Sequence, residues 1–362
     1  MVGRMCLVFA NQSALNYFPN VNLKQLSDEL GLSPTTVSRA LNNYPEVNEH
    51  TRERVKLAAR KHNYRPNSRA TRLATGRAMT IGHVIPMNST EVFNPIFGEF
   101  IAGASRAYSK RGYELSLTMA EEDAEDSIYR EIASRGSVDG VIVHAPRVND
   151  SRIALLQELQ LPFVIHGRDF NNTTEYSWID VNNRRAFYQA TKLLVDLGHK
   201  NIALVNGSET LNFAVRRRQG YVDALQDVNI DIQADMMYAG DLTEANGFEA
   251  ASKALARKNP PTAFLVASYV GALGVRRAIH NVGLQMGRDI SVIIHDDELS
   301  YFQNDGDIPQ FTATRSSVKD AGEQAAMMLL DAIENSGKAT MTKLLEAPLI
   351  IGASTGPLKA GA

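Results

Sequence analysis

The sequence predicts an α/β protein in two parts: a small all-α helix-turn-helix head and a large body of two Rossmann-like lobes with parallel sheets. Three observations carry this. At 362 residues the chain is too long for one ordinary domain and suits two or three. Its charge is unevenly shared, residues 1–79 holding 12 Lys/Arg against 5 Asp/Glu and residues 80–362 holding 26 against 35. Near residue 80 the apolar pattern changes from short helical stripes to strands alternating with longer helices, the rhythm of parallel βαβ units.

Composition removes several classes. Hydrophobic residues at 44 % and charged residues at 22 % are the balance of a globular chain, not a disordered one. No run approaches the ~18 apolar residues of a membrane span. The single cysteine, Cys6, excludes a disulfide framework and any multi-cysteine metal site, and fits a reducing, cytoplasmic setting. A net charge of −2 taken whole argues against nucleic acid. Divided near residue 79 it argues the opposite, because a small basic head on an acidic body is expected where one end meets a polyanion.

Residues 1–20 have no helical or strand period and end in Pro19-Asn20. The apolar run Met5–Ala10 is shorter than the roughly 7–15 residues of a secretory signal. This stretch is expected to be a tail or a misassigned start, with Val21 as the alternative first residue. Residues 22–65 read as three short helices. Asn22 caps the first, with Gln25 three residues on, and Leu23, Leu26 and Leu30 form one buried stripe before Gly31 ends it. Ser33 caps the second, Pro34 takes its first helical position, and Val37 and Leu41 face inward. The third starts near Asn48 and buries Val55, Ala58, Ala59 and His62. Two short helices joined by a Gly-containing turn make the helix-turn-helix pattern. In the linker, residues 66–78, Asn67 caps a helix of about eight residues that stops at Gly76, too short to persist without a partner.

From residue 80 the strands TIGHVIPM, YELSLTM, VDGVIVHAP and PFVIHGR alternate with helices over 95–110, 124–135 and 151–159. A second series follows: helix 183–197, NIALVNG, helices 214–226 and 244–257, AFLVAS, helix 270–281 and SVIIHDD.

The stretch VNLKQLSDELGLSPTTVSRALNNYPEVNEHTRERVKLAARKHNYRPNSRATRLATG resembles the head of the lactose-repressor (LacI/GalR) family. Thr36-Val37-Ser38-Arg39 followed by Tyr64-Arg65-Pro66-Asn67 is the specific part. TIGHVIP, NPIFGEFIAGA, LGHKNIALVNG, RRQGY, ALGVRRAI and HDD resemble the family's body in order and spacing.

The resemblance implies a homodimeric transcription regulator that binds palindromic double-stranded operator DNA, with a body like periplasmic sugar-binding proteins and a small carbohydrate effector between its lobes. It implies crossovers near 179–182, 307–312 and 339–344. The body would then span 80–357, with lobe 1 about 80–179 and 311–340 and lobe 2 about 182–308 and 344–357. The end of the chain lacks the leucine heptads of tetrameric members, so a dimer is expected.

By matched positions, Pro34, Thr35 and Arg39 read bases in the major groove, where Arg39 can give guanine two parallel hydrogen bonds. Thr36, Ser38, Asn42 and Thr51 would meet phosphate, which sets register without reading sequence. Helix capping is the competing role for Ser33, Thr36 and Thr51. In the linker, Asn67, Ser68 and Arg69 would hold the backbone, Ala70 would let two such helices approach, and Leu73 would wedge into the central base step of the minor groove.

For the effector the resemblance points to Arg217, three residues before Gly220, and to Asp296, first of the pair in His-Asp-Asp. Phe97 matches a stacking aromatic. His144, His166 and Arg168 end strands on the cleft side, while His199 and Trp178 fit structural roles in a turn and a hinge. The chain departs from the family at Ser268-Tyr269, where the usual aspartate is replaced by a phenol, and at Gly167-Arg168. These departures resemble the branch that controls sugar-uptake operons, α-glucosides among them. No cofactor, metal or catalytic set is expected. A co-repressor mode and a vestigial pocket stay open as alternatives.

Overall fold

A computed structural model describes residues 21–41, 44–62, 64, 76–86, 94–121, 124–335 and 340–359. The chain divides into two units, residues 1–77 and 78–362.

In the first unit, α1 (Leu23–Leu30) opens with a reciprocal capping box. The Gln25 amide donates to Asn22 Oδ1 and the Asn22 amide to Gln25 Oε1, both at 2.9 Å. Gly31 ends the helix in the left-handed region, φ 63°. Helix α2 (Pro34–Leu41) starts after Ser33, whose Oγ accepts the Thr36 amide at 3.1 Å. Asn48 caps α3 (Glu49–Lys61) by accepting the Thr51 amide at 2.8 Å. Leu26, Val37, Ala40, Val47, Val55, Ala58 and Ala59 form the core, and Tyr64 packs on it. His62, expected inside, is half-buried with Nε2 2.6 Å from Glu29 Oε2: its position at the end of α3 puts the ring beside the α1 carboxylate instead of in the core.

The second unit holds two six-stranded sheets. Lobe 1 comprises β1 (Thr80–Pro86), α4 (Pro95–Lys110), β2 (Glu114–Ala120), α5 (Glu125–Arg135), β3 (Gly140–His144), α6 (Ser151–Glu158), β4 (Phe163–His166) and β5 (Trp178–Val181). Lobe 2 comprises α7 (Asn183–Asp196), β6 (Ile202–Asn206), α8 (Asn212–Gln226), β7 (Met237–Ala239), α9 (Glu244–Leu255), β8 (Ala263–Val266), α10 (Tyr269–Asn281), β9 (Ser291–Asp296) and β10 (Thr312–Arg315). The chain returns to lobe 1 for α11 (Val318–Glu334) and β11 (Thr342–Leu345), then to lobe 2 for β12 (Leu349–Ile350). The sheet orders are β11-β5-β4-β3-β1-β2 and β12-β10-β9-β8-β6-β7, and every pairing is parallel except β10 with β12.

Two boundaries differ from expectation. Thr312–Arg315 lies beside β9 in the lobe 2 sheet, not in lobe 1, and the second crossing follows it at 316–317. The third crossing follows β11, at 346–348, later than expected, because Thr342–Leu345 pairs with β5. β10 carries two fully buried threonines where a buried strand usually carries an apolar run. Their hydroxyls are satisfied inside the lobe: Thr312 Oγ1 accepts the Gly352 amide at 2.9 Å, and Thr314 Oγ1 meets His295 Nδ1 at 3.0 Å.

Helices pack in close pairs, α4 with α11, α7 with α8 and α9 with α10. Glycine makes the second approach possible, since a Cβ on Gly220 would run into the carbonyl of Arg184. Pressing α8 onto α7 this closely sets the position of Arg217, one helical turn before Gly220, against the start of α7.

Candidate nucleic-acid interface and effector cleft

In the first unit, α2 buries Val37 and Ala40 and leaves Pro34, Thr35 and Arg39 exposed. An α-helix fits the major groove, so an exposed face ending in arginine is suited to base edges. Thr36 and Ser38 are half-buried; the Thr36 hydroxyl lies 2.8 Å from Ser33 Oγ, which ties it to the cap. Thr51 is half-buried in the first turn of α3, its amide engaged by Asn48. Asn42, Asn67, Ser68, Arg69, Ala70 and Leu73 lie outside the described residues.

The second site lies beyond the carboxyl ends of the strands, where parallel sheets gather ligands. On lobe 2, Arg217 is buried. Its Nε donates to Asn183 Oδ1 and its Nη1 to the Ala267 carbonyl, both at 2.7 Å. The guanidinium lies 5.1 Å from the Phe187 ring centre and 4.9 Å from that of Phe213. Burial lowers its pKa to about 10, against the opposing pull of Asp297 and Asp180, so it stays a cation. Ser268, also buried, caps α10 by accepting the Gly271 amide at 3.0 Å. Tyr269 turns away into the lobe 2 core, stacked on Phe302 at 5.4 Å, so the departure at this position supplies packing.

Asp296 does not stand against Arg217. Its Oδ2 is 3.2 Å from Arg315 Nε and its Oδ1 accepts the Glu298 amide at 2.9 Å. The carboxylate whose charge acts on both Arg217 and His166 is Asp297. The side chains of adjacent residues at a strand end point to different faces, and the sequence alone does not say which faces the cleft.

On lobe 1, His144 and His166 stand side by side in register at the ends of β3 and β4, ring centres 5.9 Å apart. Phe100 packs on both, 4.7 Å from His144 and 4.4 Å from His166, and the Phe97 ring lies 5.1 Å from His144 at nearly a right angle. Behind them, buried His83 joins His144 at 2.9 Å. Burial pushes the imidazoles down, His83 to about 3, His166 to about 4, and His144 well below its ordinary value, helped by its neighbouring histidines. All three are neutral near pH 7. Arg168 donates from Nε to Asp180 at 2.9 Å and lies 5.0 Å over Trp178, so Trp178 packs at the first crossing. Arg216 is half-buried over Phe170. His199 is remote from this wall, bonded to Thr262 and Ser291 under lobe 2.

Beyond the crossings the lobes touch directly. The Val148 amide donates to the Thr210 carbonyl at 3.0 Å, and Asn212 Nδ2 donates to the Arg147 carbonyl at 2.6 Å. Glu99 Oε1 of α4 accepts the Ser300 amide at 2.8 Å. The lobe 1 loop is braced by buried Arg152, bonded to Asp150 at 2.6 Å and 3.4 Å from Glu125. These clasps depend on loop geometry and leave no motif in the sequence. Together the two walls offer neutral imidazoles, flat aromatic faces, a guanidinium and a carboxylate. That set suits a small polyhydroxylated molecule with apolar faces. Among the described residues no group of three or more His, Cys, Asp or Glu is placed to hold a metal, and no helix is long and apolar enough to cross a membrane.

A helix-turn-helix unit followed by a two-lobed binding body defines a class of ligand-responsive DNA-binding proteins. Residues 22–67 match the model for bacterial regulatory proteins of the lacI family, and 191–355 match a periplasmic binding protein-like domain. The HTH-type transcriptional regulator AglR of Rhizobium meliloti is 44 % identical over 93 % of this chain and 95 % of its own. RafR of Escherichia coli, also an HTH-type transcriptional regulator, is 31 % identical over 76 % of this chain and 82 % of its own. Among solved structures, the lac repressor dimer bound to operator and the anti-inducer ONPF has TM-score 0.76 and 26 % identity, covering 93 % of this chain and 99 % of that one. A CelR–cellobiose complex has TM-score 0.69 and 26 % identity over 92 % and 100 %. The chain belongs to the LacI family of bacterial transcription regulators.

Proposed function

We propose that the protein is a dimeric, cytoplasmic repressor of a carbohydrate operon, released from a palindromic operator when a sugar, of the α-glucoside class, binds between the lobes. The observation that supports this is that Arg217 of lobe 2 and His166 of the His144–His166–Phe100 wall of lobe 1 both feel the charge of one carboxylate, Asp297. A guanidinium fork suits vicinal hydroxyls, and an aromatic face suits the apolar face of a sugar ring. Pro34, Thr35 and Arg39 read the operator, Thr36, Ser38, Asn42 and Thr51 set the register, and Asn67, Ser68, Arg69, Ala70 and Leu73 form the minor-groove linker. On the effector side, Phe97, His166, Arg168 and Ser268 line or brace the pocket, and Asp297 takes the place foreseen for Asp296.

Release is a population shift. A sugar displaces the operator only by its differential affinity for the two arrangements of the lobes, so sugar and operator weaken each other by the same factor. A gel shift with the operator, titrated with mono- and disaccharides, tests this. The expected result is an operator Kd raised by about tenfold or more, a coupling of ~1.4 kcal/mol. A sugar that tightens the operator complex makes the protein a co-repressor system, and calorimetric silence across the panel makes the pocket vestigial. Leu73→Ala is expected to weaken operator binding and leave sugar affinity intact; an unchanged gel shift sinks the linker's role.

A further inference from the structure

Lobe 1 contains a buried hydrogen-bonded line that ends at the cleft. Tyr108 on α4 and His83 on β1 are fully buried, and the Tyr108 hydroxyl lies 2.9 Å from His83 Nε2. His83 Nδ1 lies 2.9 Å from Nε2 of His144, a half-buried residue at the end of β3. A neutral imidazole carries one N–H, so only two proton arrangements satisfy both contacts. In the first, Tyr108 donates to His83, His83 Nδ1 donates to His144 Nε2, and His144 keeps its own proton on Nδ1. In the second every direction reverses, and the Tyr108 proton must find another acceptor. Among the described residues the Tyr108 hydroxyl has no partner but His83. A buried donor with nothing to receive it is a costlier defect than an oxygen with a spare lone pair, which selects the first arrangement. Burial keeps His83 and His144 neutral, which excludes a third, doubly protonated state.

We propose that Tyr108 and His83 are positioning residues that lock His144 as a one-way donor through Nδ1, so that the effector is read at this point by an acceptor oxygen. The Phe97 and Phe100 rings set against His144 hold that donor in a dry environment. Among the described residues Nδ1 makes no hydrogen bond of its own, which leaves it for the ligand. The ligand half of the proposal rests on the sugar reading above; the proton arrangement does not.

The test has two arms on the full chain. Long-range proton–nitrogen correlation spectra of the ¹⁵N-histidine-labelled protein are expected to show His144 with a protonated Nδ1 and a bare Nε2. Tyr108→Phe, which removes only the hydroxyl, leaves His83 Nε2 unpaired in either arrangement, so the preference shrinks and a detectable share of the reversed tautomer is expected. A wild-type His144 protonated on Nε2 overturns the proposal, as does a folded Tyr108→Phe with an unaltered tautomer; the wild-type spectrum decides even if that variant does not fold. In the second arm, calorimetry compares the binding sugar with its deoxy and deoxyfluoro analogues, since fluorine accepts weakly and cannot donate. One position is expected to lose about tenfold on deoxygenation, one hydrogen bond's size, and to regain part of that loss as the fluoride. Tyr108→Phe should shrink that difference, an effect that mere loss of packing would not produce. If both analogues fall equally at every position, the acceptor assignment is wrong. If no sugar binds the wild type, the sugar reading and the acceptor assignment fall together, while the spectra still judge the lock.

Discussion

Arg217 is a cation with almost no contact with water, and two bonds within lobe 2 fix two of its nitrogens. Replacing it with methionine leaves Asn183 Oδ1 and the Ala267 carbonyl without their donor, each omission costing roughly 1–3 kcal/mol. Arg217→Met is therefore expected to lower the melting temperature and to abolish the sugar response in a gel shift while operator binding persists. A variant still released by sugar would remove Arg217 from the pocket. The histidines make a second prediction. Their unfolded pKa is about 6.5, and burial lowers the folded values, to about 4 for His166 and about 3 for His83. Between pH 6.5 and 4 the unfolded chain binds the extra protons, so the stability present above pH 6.5 is lost as pH falls, by roughly 2–3 kcal/mol for His166 alone at pH 4.5. Calorimetric melting at pH 7.5 and 4.5 should show a smaller fall for His166→Gln than for the wild type. Equal falls would mean that His166 charges freely in the folded state. Arg217 could be singled out in the sequence because it stands at a fixed distance from Gly220. His83 was not: one histidine within TIGHVIP looks like any half-polar strand position until β3 brings His144 beside it. Between Asp296 and Asp297 the sequence alone makes no choice, because adjacent acids at a strand end are oriented by backbone direction, which no spacing records.

The helices were the most legible elements, because caps and stripes are local. Asn22 with Gln25, Ser33 with Pro34, and Asn48 each mark a helix start that the hydrogen bonds reproduce. The less legible elements depend on distant partners. Met237–Ala239 is a three-residue edge strand defined only by its pairing with β6, and Thr312–Arg315 becomes a strand only beside β9. Helix pairing also has a sequence cost that the glycine of Arg-Arg-Gln-Gly-Tyr records. Gly220→Ala must push α8 off α7, and overpacking of this kind costs typically ~1–3 kcal/mol. Because Arg217 and Gly220 lie one turn apart on the same helix, the displacement should also loosen the Arg217–Asn183 bond. Melting temperature and sugar affinity are expected to fall together. A stable Gly220→Ala with unchanged affinity would show that the helix pair tolerates separation.

At the scale of the whole molecule the charge is divided by function. Residues 1–79 carry an excess of basic groups, 12 against 5, and residues 80–362 an excess of acidic ones, 35 against 26. Operator affinity should therefore fall steeply with salt, by roughly 10³-fold or more between 50 and 200 mM if two heads each neutralise several phosphates. Sugar affinity, set by an uncharged ligand held in a largely buried site, should scarcely move. Parallel titrations of both ligands at the same salt concentrations check the contrast, and an operator complex indifferent to salt would exclude the basic head as its anchor. The three crossings have another consequence, for the order in which the protein is born. Lobe 1 lacks α11 and β11, and lobe 2 lacks β10 and β12, until the last fifty or so residues leave the ribosome. The first unit, whose core closes on its own segment, needs none of them. At roughly 5–20 residues per second the remaining 285 residues take about 15–60 s to make. For that interval the segment of the first unit is complete and neither lobe is, and one late stretch, from β10 to β12, completes both lobes.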